Sequence, residues 1–308
     1  MDQQNRTLPE LVASPFGGDA HLRQTISTRS LIKSYKQKCD VDVTWCFQGL
    51  PEIGLYECSR TGYKFWRPEA VAGDETFYHL LSHAWPNYYR EERWESSLAR
   101  RLLEGKKSLL EIGCGRGYFL RSVEGLVDDA IGIEFNQDAI RNKVTEFSIL
   151  PSMIEDFAKT RPAGFDVVCS FQVLEHVTNP HAFIESALAC LVDGGLLMLS
   201  TPDNDSPTFM QQEDPFDLPP HHVGHFNIAI YERIADDFGL EIVEIMRESE
   251  GASPSTGIGQ NPDRTLAHLA SKAAFVAKMA IKHPSSTAIL LTQKPGKKVL
   301  AVFRKPAG

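Results

Sequence analysis

Residues 108–120 read Ser-Leu-Leu-Glu-Ile-Gly-Cys-Gly-Arg-Gly-Tyr-Phe-Leu. Leu109, Leu110 and Ile112 form the short apolar run that a buried parallel strand needs. Gly113, Gly115 and Gly117 then allow a sharp turn with no Cβ in the way of a ligand. Tyr118-Phe119-Leu120 opens a helix. A strand, a glycine turn and a helix N-terminus turn backbone N–H groups toward a bound group.

The turn departs from a dinucleotide fingerprint in two ways. A G-x-G-x-x-G pattern counted from Gly113 needs glycine at 118, where Tyr118 stands. The strand also ends on an acid, Glu111, which suits a cationic ligand group better than a pyrophosphate. A ligand with an amino group, a carboxylate, a sulfonium and a ribose is S-adenosylmethionine. The stretch resembles the E-x-G-x-G-x-G motif of class I S-adenosylmethionine-dependent methyltransferases, including the ubiquinone-biosynthesis-type O-methyltransferases and related small-molecule enzymes. The resemblance covers roughly residues 96–308. It implies a doubly wound, seven-stranded, mostly parallel Rossmann-like sheet. Glu111, Gly113, Cys114, Gly115, Gly117 and Tyr118 are its expected cofactor contacts.

Downstream, Asp129-Ala-Ile-Gly-Ile-Glu134 reads as a second strand ending in an acid. Glu134 lies 19 positions after Gly115, room for one helix and one strand. That spacing lands the acid beside the glycine turn at the carboxyl edge of the sheet. One carboxylate can accept from two adjacent ribose hydroxyls, with Phe135 beside it; a solvated strand-end glutamate is the plain alternative. A third strand at 147–151 leads into Ser152-Met-Ile-Glu-Asp-Phe157, which resembles the family's adenine loop. Met153 and Ile154 would hold the ring and Glu155 or Asp156 would accept from its amine. Gly164–Val177 supplies a fourth strand, ending at Phe171 and Gln172 across from the glycine turn. Phe171-Gln-Val-Leu-Glu-His-Val resembles the ubiquinone-type motif, where Glu-x-x-Glu-His can hold a divalent cation. Here Gln172 replaces the first acid, a poorer ligand for a hard cation. A structural role for Glu175 and His176 is favoured, and no metal ligand set is assigned.

The β–α rhythm continues through a helix from Asn179-Pro180 to about Leu191, a fifth strand at Leu196–Ser200, a helix at Ile228–Phe238 closed by Gly239, and a sixth strand at Leu240–Met246. Lys298–Lys305 reads as a last strand pairing antiparallel at the end of the sheet. Thr201–Phe226 is a long proline-rich loop holding His221, His222 and His225, with Phe209, Met210 and Phe216 as apolar walls. Long loops at this edge are commonly functional. An oxygen or nitrogen acceptor must lose a proton, and histidine is the natural base near neutrality. His222 and His225 are the candidates, because the family's H-x-x-H-F step falls on them; loop-locking hydrogen bonds are the alternative.

Residues 1–95 form an N-terminal extension and helical cap, and residues 96–308 the methyltransferase domain. Residues 1–30 read as including a loose tail. Cys39, Cys46 and Cys58 partly resemble a zinc knuckle, but four soft ligands are needed and three are present. A knuckle-like hairpin without metal is expected at 39–68. Helical spacing appears at Phe77–Leu81 and Trp94–Leu102. Tyr88 or Tyr89 is placed either in packing or against the methionine end of the cofactor.

The 308 residues carry a net charge of −8, which argues against nucleic acid as a partner. With 42% hydrophobic and 23% charged residues the composition is that of a globular domain. No leader or 18-residue apolar run is seen, and the six scattered cysteines fit free thiols in a reducing cytoplasm. Residues 249–262 read as a mobile stretch. Thr265–His283 reads as a lysine-bearing amphipathic helix, either packed or touching a membrane surface. The expected partner is a small-molecule or saccharide-like acceptor methylated on oxygen. A quinone-type enzyme at a membrane surface, or a binding module without turnover, are the alternatives.

Overall fold

A computed structural model describes residues 8–85, 88–206, 214–249 and 295–307. The chain divides into two units. One comprises Met1–Tyr89, Leu174–Ile184 and Asp214–Phe226; the other comprises Arg90–Val173, Glu185–Glu213 and Asn227–Gly308.

The first unit opens with β1 (Leu11–Ala13) and β2 (Asp19–Ser27), two strands within the stretch expected to include a loose tail. Its apolar signal, Ala20, Leu22 and Ile26, is interrupted by a register shift between Leu22 and Gln24. After α1 (Thr28–Cys39), β3 (Glu52–Cys58) and β4 (Lys64–Arg67) form an antiparallel hairpin, the hairpin expected of the cysteine stretch. The three cysteines there are free thiols. Helix α2 (Glu75–Ala84) starts at Asp74, whose side chain accepts from the Phe77 N–H. Tyr35, Tyr56, Tyr63 and Phe77 are fully buried within this unit.

The second unit begins with α3 (Trp94–Arg101), β5 (Ser108–Ile112), α4 (Tyr118–Ser122), β6 (Asp129–Glu134) and α5 (Gln137–Arg141). Then come β7 (Ser148–Pro151), α6 (Ile154–Phe157) and β8 (Phe165–Phe171). Helix α7 (Pro180–Cys190) precedes β9 (Leu191–Pro202). The two-residue β10 (Gly224–His225) belongs to the first unit, where it pairs antiparallel with β4. The end of the expected long loop is therefore sheet. A Cβ on Gly224 would come 2.2 Å from the Tyr63 hydroxyl, so only glycine fits that crossing. The chain closes with α8 (Ile228–Phe238), β11 (Glu241–Ser249) and β12 (Pro295–Arg304). Helix α8 ends at Gly239 as the sequence predicts, with φ +64°, and it starts at Asn227, whose side chain accepts from the Ile230 N–H at 2.9 Å.

Two sheets result. The first unit holds five strands in the order β1-β2-β3-β4-β10. The second holds the expected seven, in the order β11-β12-β9-β8-β5-β6-β7. From β9 to β7 every neighbour is parallel. The last strand, β12, is antiparallel but is not at the edge; it lies between β9 and β11. The strand order reverses between β5 and β8, and ligands of open α/β sheets bind at such a point, outside the carboxyl ends of the strands. Leu109, Val167, Met198 and Leu300, from four adjacent strands, share one buried apolar cluster.

Candidate functional site

In the second unit the parallel register brings the tips of β5, β6 and β8 to one edge. Ile112 lies beside Ile133 and Ser170. The glycine turn leaves β5 here. Its Gly113 and Cys114 N–H groups donate to the Ile133 carbonyl at 2.8 and 3.2 Å, tying the turn to β6. Gly113, Gly115 and Gly117 take φ of +69°, +56° and +80°, the left-handed region that a Cβ disfavours. Space matters as well. A Cβ on Gly113 would stand 2.4 Å from Val173 Cγ2, and one on Gly117 2.6 Å from Thr145 Cγ2.

Two acids meet at this edge. Glu134 is buried, and its carboxylate accepts from three backbone N–H groups: Gly115 at 2.8 Å, Asn136 at 2.9 Å and Phe135 at 3.0 Å. It clamps the turn as well as facing the site. Burial raises its pKa, and those three N–H groups oppose the rise. Glu111 is equally buried, yet its Oε2 has no hydrogen-bond partner among the described residues. Burial pushes its pKa up to about 8; the Arg93 guanidinium opposes this and the charge of Glu134 adds to it.

The other expected cofactor residues divide by burial. Phe171 is buried edge-on to Phe119, with ring centroids 5.1 Å apart. Gln172, at φ +59°, donates from Nε2 to Glu95 Oε1 and to Ser200 Oγ, both at 3.1 Å. Tyr118 and Phe135 are half-buried, and the Cys114 thiol is buried with its pKa pushed up by that burial, which leaves it inert. Met153, Ile154 and Glu155 follow β7, whose Pro151 lies opposite Glu134. Ile154 is turned into the core while Met153 is 51% exposed and Glu155 half-buried. Sequence reasoning passed over Arg93 and Glu95. Arg93 Nη1 donates to the Phe171 carbonyl at 2.8 Å. Glu95 is fully buried, and its Oε1 also accepts from Ser200 Oγ at 3.0 Å. Both follow an ordinary-looking charged run at 90–93, which carries no local signal.

The proposed bases, His222 and His225, belong to the first unit. His225 Nε2 is buried with no hydrogen-bond partner among the described residues. Burial lowers its pKa to about 4, helped by the charge of Lys64. His222 is also buried and held neutral, by burial first and then by His221, His176 and His225. Around it are Glu175 Oε1, 3.9 Å from Nε2, and Asp217 Oδ1, 3.5 Å from Nδ1. Tyr88 sends its hydroxyl to His221 Nε2 at 3.2 Å. Phe216 is buried and stacks on Trp85 at 4.7 Å. Phe209, Met210 and the 249–262 and 265–283 segments lie outside the described residues, apart from Ser249, which ends β11. No helix among the described residues is long and apolar enough to cross a membrane.

A parallel sheet with an acid, a glycine turn and a second acid at its switch point defines the class of α/β fold that grips an adenosyl cofactor. The sequence profile of the family described as "Methyltransferase domain" matches residues 87–245, and the chain belongs to that family. It is 34% identical over 119 residues to a ubiquinone biosynthesis O-methyltransferase of Glaesserella parasuis, covering 35% of this chain and 50% of that protein. It is 26% identical over 148 residues to a probable S-adenosylmethionine-dependent methyltransferase of Mycolicibacterium smegmatis, covering 47% and 56%. The chain thus spans about half the length of the curated relatives it matches. A SAM-dependent methyltransferase from Archaeoglobus fulgidus superposes with a TM-score of 0.51 at 18% identity, covering 74% of this chain and all of that one. That likeness speaks for the fold.

Proposed function

We propose that this protein transfers a methyl group from S-adenosylmethionine to an oxygen of a small-molecule or saccharide-like acceptor. The observation that carries the reading is Glu111, a buried carboxylate with an unpartnered oxygen among the described residues, one residue before the glycine turn. Burying such a group without a counter-charge is costly, and a ligand ammonium would supply one. Glu134 would take the ribose hydroxyls on the lone pairs its three N–H donors leave over. Phe171 and Gln172 would line the cofactor, with Met153 and Glu155 beside the adenine.

The cofactor supplies a methyl group already activated on a sulfonium sulfur. The protein has to align the acceptor and keep water out. His222 and His225 are the proposed acceptors of the proton an oxygen nucleophile loses. Burial keeps both neutral, the state a base requires, and also makes them weaker bases than an exposed histidine. The ubiquinone-biosynthesis O-methyltransferase names of two relatives support an oxygen acceptor and keep a quinone-type molecule as the alternative acceptor.

Calorimetry on the full chain tests the cofactor. Uptake of S-adenosylmethionine but not of NAD is expected, with weaker uptake by Glu111→Ala and by Glu134→Ala. Absence of uptake, or two variants that bind like the parent, overturns the assignment. Transfer of labelled methyl to a panel of catechols, sugars and amines tests the acceptor; label on amines alone removes oxygen from the proposal.

A further inference from the structure

The first unit gathers a second group of chemically capable side chains. Glu175 and His176 come from one stretch of chain, His221 and His222 from another, and one ring nitrogen from each histidine lies within 4.8 Å of the other two. Glu175 is buried, and its Oε1 is 3.9 Å from both His176 Nε2 and His222 Nε2.

The ring orientations are set from behind. His176 Nδ1 meets the His221 carbonyl at 2.6 Å, and His221 Nδ1 meets the Phe216 carbonyl at 2.8 Å. A carbonyl only accepts, so each Nδ1 carries the proton and each Nε2 is the lone-pair nitrogen. His222 repeats the arrangement, with Asp217 Oδ1 3.5 Å from its Nδ1. Three imidazoles whose rear nitrogens point at oxygen acceptors form the support pattern that metal-binding histidines use. The group then offers three imidazole nitrogens, with the Glu175 carboxylate beside two of them.

We propose that His176, His221 and His222 bind one divalent first-row transition ion of the zinc type; with the ion in place His222 is a ligand, and the acceptor's proton falls to His225. Imidazole-rich sets select such ions, whereas magnesium and calcium call for oxygen ligands. This donor set differs from the paired acids that the family resemblance implies, which Gln172 interrupts. Zinc–nitrogen bonds of about 2.0–2.1 Å put tetrahedral ligands about 3.4 Å apart. Reaching that from nitrogens within 4.8 Å of one another needs shifts of about 1 Å or less per ligand. Tyr88, whose hydroxyl reaches His221 Nε2 at 3.2 Å, yields that nitrogen when the ion enters. The ligands come from residues 176 and 221–222, so an ion would pin two distant stretches together.

The test uses the full chain, stripped with chelator and titrated with cobalt(II). Ligand-field bands saturating at one equivalent and lost on adding zinc are expected. The same titration on His176→Asn, His221→Asn and His222→Asn shows weak or no bands, and Asp217→Asn binds about 10- to 100-fold more weakly, as loss of an outer partner does. Far-ultraviolet circular dichroism of each metal-free variant identifies any that fails to fold. X-ray absorption at the zinc edge of the unmodified protein needs no variant, and an imidazole-dominated shell is expected. No cobalt bands at stoichiometric metal, parent-like binding by the folded histidine variants, or a sulfur-dominated shell at the zinc edge overturns the proposal.

Discussion

The glycine turn and the histidine group each bury a glutamate, and the two acids are treated differently. Burial pushes the pKa of Glu111 up to about 8, with the Arg93 guanidinium opposing the rise and the charge of Glu134 adding to it. Glu175 has imidazole nitrogens as its ion-pair neighbours, at 3.9 Å. The turn is made of contiguous chain whose backbone is fixed by Glu134. The histidine group is assembled from two separate stretches and fixed by carbonyls. One site meets a cationic organic ligand with a buried carboxyl oxygen that has no hydrogen-bond partner among the described residues, and the other presents lone pairs.

Substitution of Glu111 strains this contrast hardest. Glu111→Gln is expected to cost cofactor affinity about a hundredfold or more, in line with the loss of one partner from a buried ion pair, as read by calorimetry. The same change should stabilise the cofactor-free protein, in a pH-dependent way. The folded pKa of about 8 stands above the ordinary 4.5, so the folded state holds its proton longer than the unfolded chain does. The penalty is absent below about pH 4.5, grows as pH rises toward 8 and is constant above that. The gain from Glu111→Gln should therefore be several kcal/mol at pH 9 and close to zero at pH 4, measured by urea unfolding. An equal gain at both pH values would break the account of Glu111.

Gly113→Ala comes next. The Cβ meets Val173 at 2.4 Å and the backbone holds φ +69°, for an expected loss of about 3 kcal/mol. Adding Val173→Ala should return the steric part and leave the backbone part of about 1 kcal/mol. Full recovery in the double variant would mean that the turn does not require the left-handed conformation.

His225 sharpens the comparison from the other unit. Its folded pKa of about 4 lies below the ordinary 6.5, so its contribution is present above pH 6.5 and is lost as pH falls toward 4. His225→Phe should flatten that acid limb by about 2 kcal/mol, an effect a pH series of thermal midpoints would show. The smallest change expected is Asn227→Ala, which removes a helix cap and costs about 1 kcal/mol without touching cofactor affinity. It serves as the yardstick against which the site variants are judged.

The seven-stranded sheet is legible in the sequence because its signals are local. Residues 109–134 hold strand, turn, helix and strand in one run, and Gly239 ends α8. The position of β12 is not legible: its pattern shows a strand, while its insertion between β9 and β11 depends on pairing with residues about 50 to 100 positions away. The five-stranded sheet escapes for a similar reason. Its β1 is three residues long, β10 only two, and the register of β2 shifts midway. In the site, the acids Glu111 and Glu134 are visible from strand ends. Arg93 and Glu95 are not, since a charged helix start looks the same whether it faces water or a buried carboxylate. The pairing of His176 with His221 spans 45 residues, which no local period reports.

The first unit takes its parts from Met1–Tyr89, Leu174–Ile184 and Asp214–Phe226. During synthesis its hairpin waits for β10, which leaves the ribosome only after more than two thirds of the chain has been made. Until then β4 keeps an open edge, the kind of surface on which nascent chains pair wrongly. Expression of a fragment stopped near residue 95 should accordingly give an aggregating product, and a cut at the apparent domain boundary is the wrong place to divide this protein.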